Sequence, residues 1–105
     1  MHYTYVWEFE VAAGRREEFL RCYGPDGDWA RLFRRAPGYL GTLLLADQAR
    51  PERFLTVDRW RSAQEHDDFK RRFRSEYEAL DRACEQLTVH EASLGAYWEY
   101  PEGEA

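Results

Sequence analysis

From His2 to Val11 the odd positions Tyr3, Tyr5, Trp7, Phe9 and Val11 are apolar, while Thr4, Glu8 and Glu10 fall on even ones. A period of two predicts a strand. Gly14 ends it, and Glu17 and Glu18 open a helical segment carrying Phe19, Leu20, Cys22 and Tyr23, with the acids where the helix dipole favours them. Gly24-Pro25-Asp26-Gly27-Asp28 interrupts regular structure, and Asp28 is placed to cap a short second helix that carries Trp29, Leu32 and Phe33 and stops at Pro37-Gly38. Tyr39 to Ala46 is apolar almost without alternation, as a strand is when both its faces are covered. A turn at Pro51 leads to a third strand from Phe54 to Trp60, close enough to pair with the second as a hairpin.

Ser62-Ala63-Gln64-Glu65 is a capping box, so a helix begins there. Behind it Phe69, Phe73, Tyr77, Leu80, Cys84 and Leu87 form one helical stripe. A second box at Ser75 predicts a break and restart near that residue. Val89 to Tyr100 closes the chain with a two-period strand, Ala92, Leu94, Ala96, Trp98 and Tyr100 on one side and Glu91, Ser93, Gly95, Tyr97 and Glu99 on the other.

The order β, α in two pieces, β, β, α, β predicts an α+β domain of the ferredoxin-like, split βαβ kind, with helices on one face of a four-stranded antiparallel sheet. One domain is expected over residues 1–100, with Pro101 to Ala105 as a tail. The strand faces turned away from the helices need a second cover. The rings of Tyr3, Tyr5, Trp7 and Phe9 and the leucines of the second strand supply apolar surface that a second copy can bury, and twofold pairing is the commonest oligomer. A homodimer is expected.

Composition narrows the partners. In 105 residues, 20 acids against 15 basic residues give a formal charge of -5, which repels nucleic-acid phosphates and anionic membrane surfaces. No basic-then-apolar leader and no membrane-length apolar run is present. Cys22 and Cys84, without CxxC spacing, read as buried thiols of a reducing compartment, and a cytoplasmic location is expected. No metal constellation is visible: His2, His66 and His90 are scattered, and His90 has only Glu91 beside it.

Asp58-Arg59-Trp60-Arg61-Ser62, the helix start Gln64-Glu65-His66, Leu87-Thr88 leading to Glu91 and Leu94-Gly95, and the turn Pro37-Gly38-Tyr39-Leu40-Gly41 resemble the antibiotic biosynthesis monooxygenase family of the dimeric α+β barrel superfamily. The resemblance covers nearly the whole chain. It implies pairing through the outer sheet face, which assigns the ring-rich face to the partner, and a small apolar or aromatic ligand held between helices and sheet. It also implies oxygenase chemistry without a cofactor, in which a deprotonated substrate reacts with oxygen directly. Trp60 matches a family tryptophan. The family's amide four residues earlier aligns with Thr56, and the chain has no Asn to replace it. The residues of the haem-degrading branch are absent, their places taken by Trp7, Phe69 and Ala79.

Two candidate bases follow. His66 has a ring that titrates near neutrality, or is a solvated histidine among Glu65, Asp67 and Asp68. Asp58 shares its strand side with Phe54, Thr56 and Trp60. It is either a desolvated carboxylate with a raised pKa or half of a strand-end salt bridge. Trp60, Tyr77, Trp29, Tyr23 and Phe73 are the candidate substrate contacts, each with a plain core role as the alternative. Gly24 and Gly27 would let the loop between Tyr23 and Trp29 hinge as a lid. A cofactor-free oxygenase of a small aromatic or enolisable compound is one reading. A non-catalytic homodimeric binder of an apolar metabolite or a protein is another, and isomerase or decarboxylase chemistry a third.

Overall fold

The structure, a computed structural model, describes residues 1–101; the rest of the expected tail lies outside the described residues. Strand β1 (His2–Val11) is followed by helices α1 (Arg16–Tyr23) and α2 (Asp28–Phe33), the hairpin β2 (Tyr39–Ala46) and β3 (Arg53–Trp60), helices α3 (Ala63–Arg72) and α4 (Arg74–Cys84), a 3-10 turn at Glu85–Leu87, and β4 (Thr88–Glu99). The strands form one antiparallel sheet in the order β2-β3-β1-β4. This is the ferredoxin-like arrangement, with β1 and β3 central. No helix among the described residues is long and apolar enough to cross a membrane.

Local chemistry explains the boundaries. Ser62 Oγ accepts from the Glu65 amide at 3.2 Å, one half of the expected capping box. The Glu65 carboxylate turns instead to the Ser62 hydroxyl and to Arg61. The long helix breaks at Phe73 (φ -110°, ψ 27°), two residues before Ser75, and no side chain caps the restart. Asp28 does not cap α2. Gly27 takes the N-cap position, and Asp28 accepts from the Cys22 thiol at 3.4 Å and pairs with Arg31.

The ring-rich face of β1 is turned the opposite way from the expectation. Phe9 packs on Phe19, Tyr23 and the buried core, and Tyr3 and Trp7 border that core. The rings therefore face the helices. The outer face carries the even positions of β1 with their ladder neighbours: Val6 beside Val57 and Gly95, Leu43 beside Val57, Leu45 beside Leu55, and Thr4 beside Tyr97. Ion pairs Arg53–Glu8 and Arg59–Glu99 cross it. Leu43 and Tyr97 are each 52% exposed there.

The two-period reading of β4 also needs correction. Val6 pairs with Gly95 but Trp7 with Ser93, so Leu94 is an extra residue, and Gly95 accommodates the bulge at φ +111°. The bulge exchanges the faces. Glu91 and Ser93 lie on the helix side with Ala96 and Trp98, while Ala92 lies outside with Gly95 and Tyr97.

Candidate active site

Alternation along β3 places Phe54, Thr56, Asp58 and Trp60 on the helix side. Three of them are buried: Phe54 at 2% exposure, Thr56 at 4% and Trp60 at 0%. Asp58 is the exception, a carboxylate in that apolar row facing a cleft between sheet and helices. The β2 register sets Thr42 directly opposite it, and Thr42 Oγ1 donates to Asp58 Oδ1 at 2.7 Å. Because that hydroxyl's proton is committed to Asp58, the Tyr39 hydroxyl, 2.6 Å from Thr42 Oγ1, is the donor in the second bond. The result is a one-way relay from Tyr39 through Thr42 to Asp58.

Asp58 has no cationic partner among the described residues. Desolvation pushes its pKa up to about 6, against the opposing pull of the Thr42 hydrogen bond. At neutral pH it is mostly ionised and can still accept a proton, as a usable general base must.

The cleft and its open mouth together enclose about 540 Å³. Space for the centres of water-sized groups is about 70 Å³, so the layer between helices and sheet is not filled by side chains. Trp7 and Phe9 from β1, Tyr23 from α1, Trp29 and Phe33 from α2 and Tyr77 from α4 supply its aromatic walls. Trp29 meets Tyr77 edge-on at 5.0 Å between centroids, and Tyr23 lies 4.7 Å from Phe9. Burial pushes the Tyr77 hydroxyl up to about 12 and Tyr23 higher still, so both are neutral donors at physiological pH.

Of the residues anticipated for the site, Asp58, Tyr23, Trp29 and Tyr77 line one cleft. Trp60 and Phe73 do not; both sit in the core, Trp60 against Phe33 and Phe69 and Phe73 stacked on Phe69. His66 is not among the lining residues either. Its ring lies 5.3–5.5 Å from those of Tyr3, Tyr5 and Trp60, and its Nδ1 is buried without a partner. Desolvation, with Lys70 nearby, pushes its pKa down to about 4, which leaves it neutral and weakly basic.

Gly24 and Gly27 are buried packing positions and not hinges. A Cβ on Gly24 would come within 2.7 Å of the Leu20 carbonyl oxygen, and one on Gly27 within 2.6 Å of that of Arg21. The segment they close is the wall that presents Tyr23 and Trp29.

Several lining residues carried no clear signal in the sequence. Thr42 depends on a bulge at Leu40 that fixes the hairpin register, and Glu91 on the bulge at Leu94. Asp81, on α4, is an exposed helix residue that reaches the cleft rim. Among the described residues no group of His, Cys, Asp or Glu is arranged to hold a metal ion.

Residues 3–77 match the family model of the antibiotic biosynthesis monooxygenases. Among solved structures, a Bordetella bronchiseptica protein described with that family superposes with a TM-score of 0.77 at 18% identity, covering 95% of this chain and 98% of its own. SnoaB, a cofactor-independent oxygenase from Streptomyces nogalater, gives a TM-score of 0.75 for a point variant at 20% identity, covering 98% of both chains. A Mycobacterium tuberculosis protein gives 0.73 at 12% identity, covering 99% of this chain and all of its own. At these identities the likeness establishes the fold. No curated protein matches the chain in sequence.

Proposed function

The chain belongs to the antibiotic biosynthesis monooxygenase family, and from that premise we propose that it is a cofactor-independent oxygenase of a small aromatic or enolisable compound, with Asp58 as general base. The observation that carries this reading is a desolvated carboxylate, without an ion-pair partner among the described residues, set in a ring-lined cleft between sheet and helices. SnoaB, of the same fold, is described as a cofactor-independent oxygenase.

Asp58 takes a proton from an activated C–H or O–H of the bound substrate, leaving an electron-rich anion. That anion reduces oxygen and forms a carbon–oxygen bond, giving a peroxide anion. The peroxide anion takes back the proton from Asp58, and where the oxygenated carbon was a methylene its hydroperoxide loses water to leave a carbonyl, so CH2 and O2 become C=O and H2O. All the electrons come from the substrate. The Thr42 hydroxyl holds the Asp58 carboxylate in place through its 2.7 Å bond, while the neutral hydroxyls of Tyr23 and Tyr77 donate to substrate oxygens. Rings on either side exclude water and hold a flat molecule.

The protein acts as a homodimer through the outer sheet face, whose exposed Leu43, Leu45 and Tyr97 need cover. Its unbonded thiols Cys22 and Cys84 suit a reducing, cytoplasmic setting.

The test is oxygen uptake with a panel of dihydroxynaphthalenes and anthrone-like ketones, wild type against Asp58→Asn. Oxygen consumed in step with carbonyl product, and reduced at least about 100-fold in the variant, is the expected result. Affinity without turnover would make the protein a binder. Proton exchange at the substrate without oxygen uptake would assign Asp58 to isomerisation.

A further inference from the structure

The charge around the cleft is one-sided. Besides Asp58, Asp81 from α4 and Glu91 from β4 reach it, and none of its lining residues is Lys, Arg or His. Burial, with Asp81 nearby, raises the pKa of Glu91 against the opposing pull of His90. The Tyr77 hydroxyl lies within the field of all three.

Elsewhere in the described residues most acids are paired with a cation, with Glu17, Glu52, Asp67 and Glu85 as the exceptions. Arg53 bridges Glu8 and Asp47, Arg59 pairs with Glu99, and Arg61 with Glu65. None of the three cleft carboxylates takes part in any ion pair. With fifteen basic residues in the chain, supply is not the limitation. No basic residue lines this cavity; Lys70 lies outside the lining, its ammonium 5.7 Å from the centroid of the Tyr77 ring.

Such a cavity disfavours an anionic ligand on every side. It favours a cation twice over, because the rings of Trp7, Trp29 and Tyr23 line it and the carboxylates supply the opposite charge. We infer that the cleft takes a flat aromatic molecule bearing a protonated amine, and discriminates against carboxylate- or phosphate-bearing analogues of the same shape. This deepens the oxygenase reading and rests on it only where turnover is concerned. Taking a proton from a neutral substrate would leave an anion facing Asp81 and Glu91, whereas taking it from an ammonium-bearing one leaves a zwitterion whose positive end those carboxylates hold.

Isothermal calorimetry of the full chain, near neutral pH and at low salt, with naphthylmethylamine, naphthylmethanol and naphthoate tests this with three ligands of one shape and three charges. The amine is expected to bind about ten-fold or more tighter than the alcohol, and naphthoate weakest. In the double variant Asp81→Asn with Glu91→Gln, the amine's advantage over the alcohol should shrink to within about three-fold. Naphthoate binding as tightly as the amine, an amine no tighter than the alcohol, a preference undiminished in the double variant, or no binding by any of the three would each overturn the inference. Oxygen uptake is scored separately. A cation preference without any oxygen consumption removes the oxygenase reading and leaves the ligand class standing, whereas turnover of neutral phenols with no amine advantage does the reverse.

Discussion

Asp58 is held where the fold does not want a charge. Its pKa rises from 3.8 to about 6 on folding, so the native state binds that proton more tightly than the unfolded chain does. Native stability therefore falls as pH rises between about 4 and 6 and stays lower above that window, by up to roughly 3 kcal/mol. Asp58→Asn keeps an acceptor for Thr42 and removes the charge. It should raise stability at pH 7 by roughly 1–3 kcal/mol while abolishing turnover, and the gain should vanish below about pH 4, where wild-type Asp58 is protonated in both states. Urea melts at the two pH values measure this, and an unstable variant at pH 7 would contradict the buried, unpaired placement. His66 shifts the other way. Its native pKa of about 4 lies below the unfolded 6.5, so the unfolded chain binds more protons and stability is lost as pH falls from 6.5 towards 4. His66→Phe, set among Tyr3, Tyr5 and Trp60, should flatten that acid loss with Lys70 and Asp67 still in place, and melts at pH 7 and pH 5 compare the slopes. Alternation groups Asp58 with Phe54, Thr56 and Trp60 but leaves open whether that side or the side of Arg59 faces the helices, which the strand register and the burial of its neighbours decide. The same pattern does not show Thr42 or Tyr39, whose approach to Asp58 is a consequence of strand pairing and not of local sequence.

At the scale of elements, the α1 to α2 corner does more for the cleft than its loop-like composition suggests. Gly27 donates its amide to the Gly24 carbonyl at 2.9 Å and accepts from the Arg31 amide at 3.0 Å, which folds the corner tightly enough to set Tyr23 beside Trp29. A Cβ there would lie 2.6 and 2.7 Å from the carbonyl oxygens of Arg21 and Cys22, rigid backbone atoms that cannot swing aside. Gly27→Ala should cost roughly 1–3 kcal/mol and weaken binding of any aromatic ligand, since both rings would shift with the corner. Thermal melts paired with ligand titration check it; a variant of wild-type stability would mean the corner yields more than its packing implies. The glycines were visible in the sequence but read as hinges, because composition reports conformational freedom and not closeness of packing. The helix start at Ser62 was legible, since its cap is local, although Glu65 turns to Arg61 and does not close the second half of the box. The restart at Phe73 was legible only to within two residues, since tertiary packing of Phe69 and Phe73 fixes the break and Ser75 has no part in it.

For the whole molecule, the sheet's outer face is where sequence pattern and structure diverge most instructively. Periodicity in β1 separates the rings from the polar residues without saying which set faces the helices, and the abundance of rings pointed to a partner surface. The structure uses those rings for the core and the cleft wall. The apolar outer patch comes from β2 and β3 instead, where the unbroken leucine run had marked both faces as covered. Covering one such leucine contributes about 2 kcal/mol, so several from each copy, with Val6, Val57 and Tyr97 between them, suffice for a micromolar or tighter pair. Leu43 is 52% and Leu45 44% exposed in the isolated chain, so replacing both by Glu should change the fold's own stability little. In a dimer the same change puts four carboxylates into a desolvated interface. Sedimentation equilibrium at micromolar concentration should therefore give twice 12.6 kDa for the wild type and 12.6 kDa for Leu43→Glu with Leu45→Glu, both with the same circular dichroism. A monomeric wild type would refute the pairing outright. A dimer that survives the double substitution would move the interface to another surface, leaving this face without the partner its leucines call for.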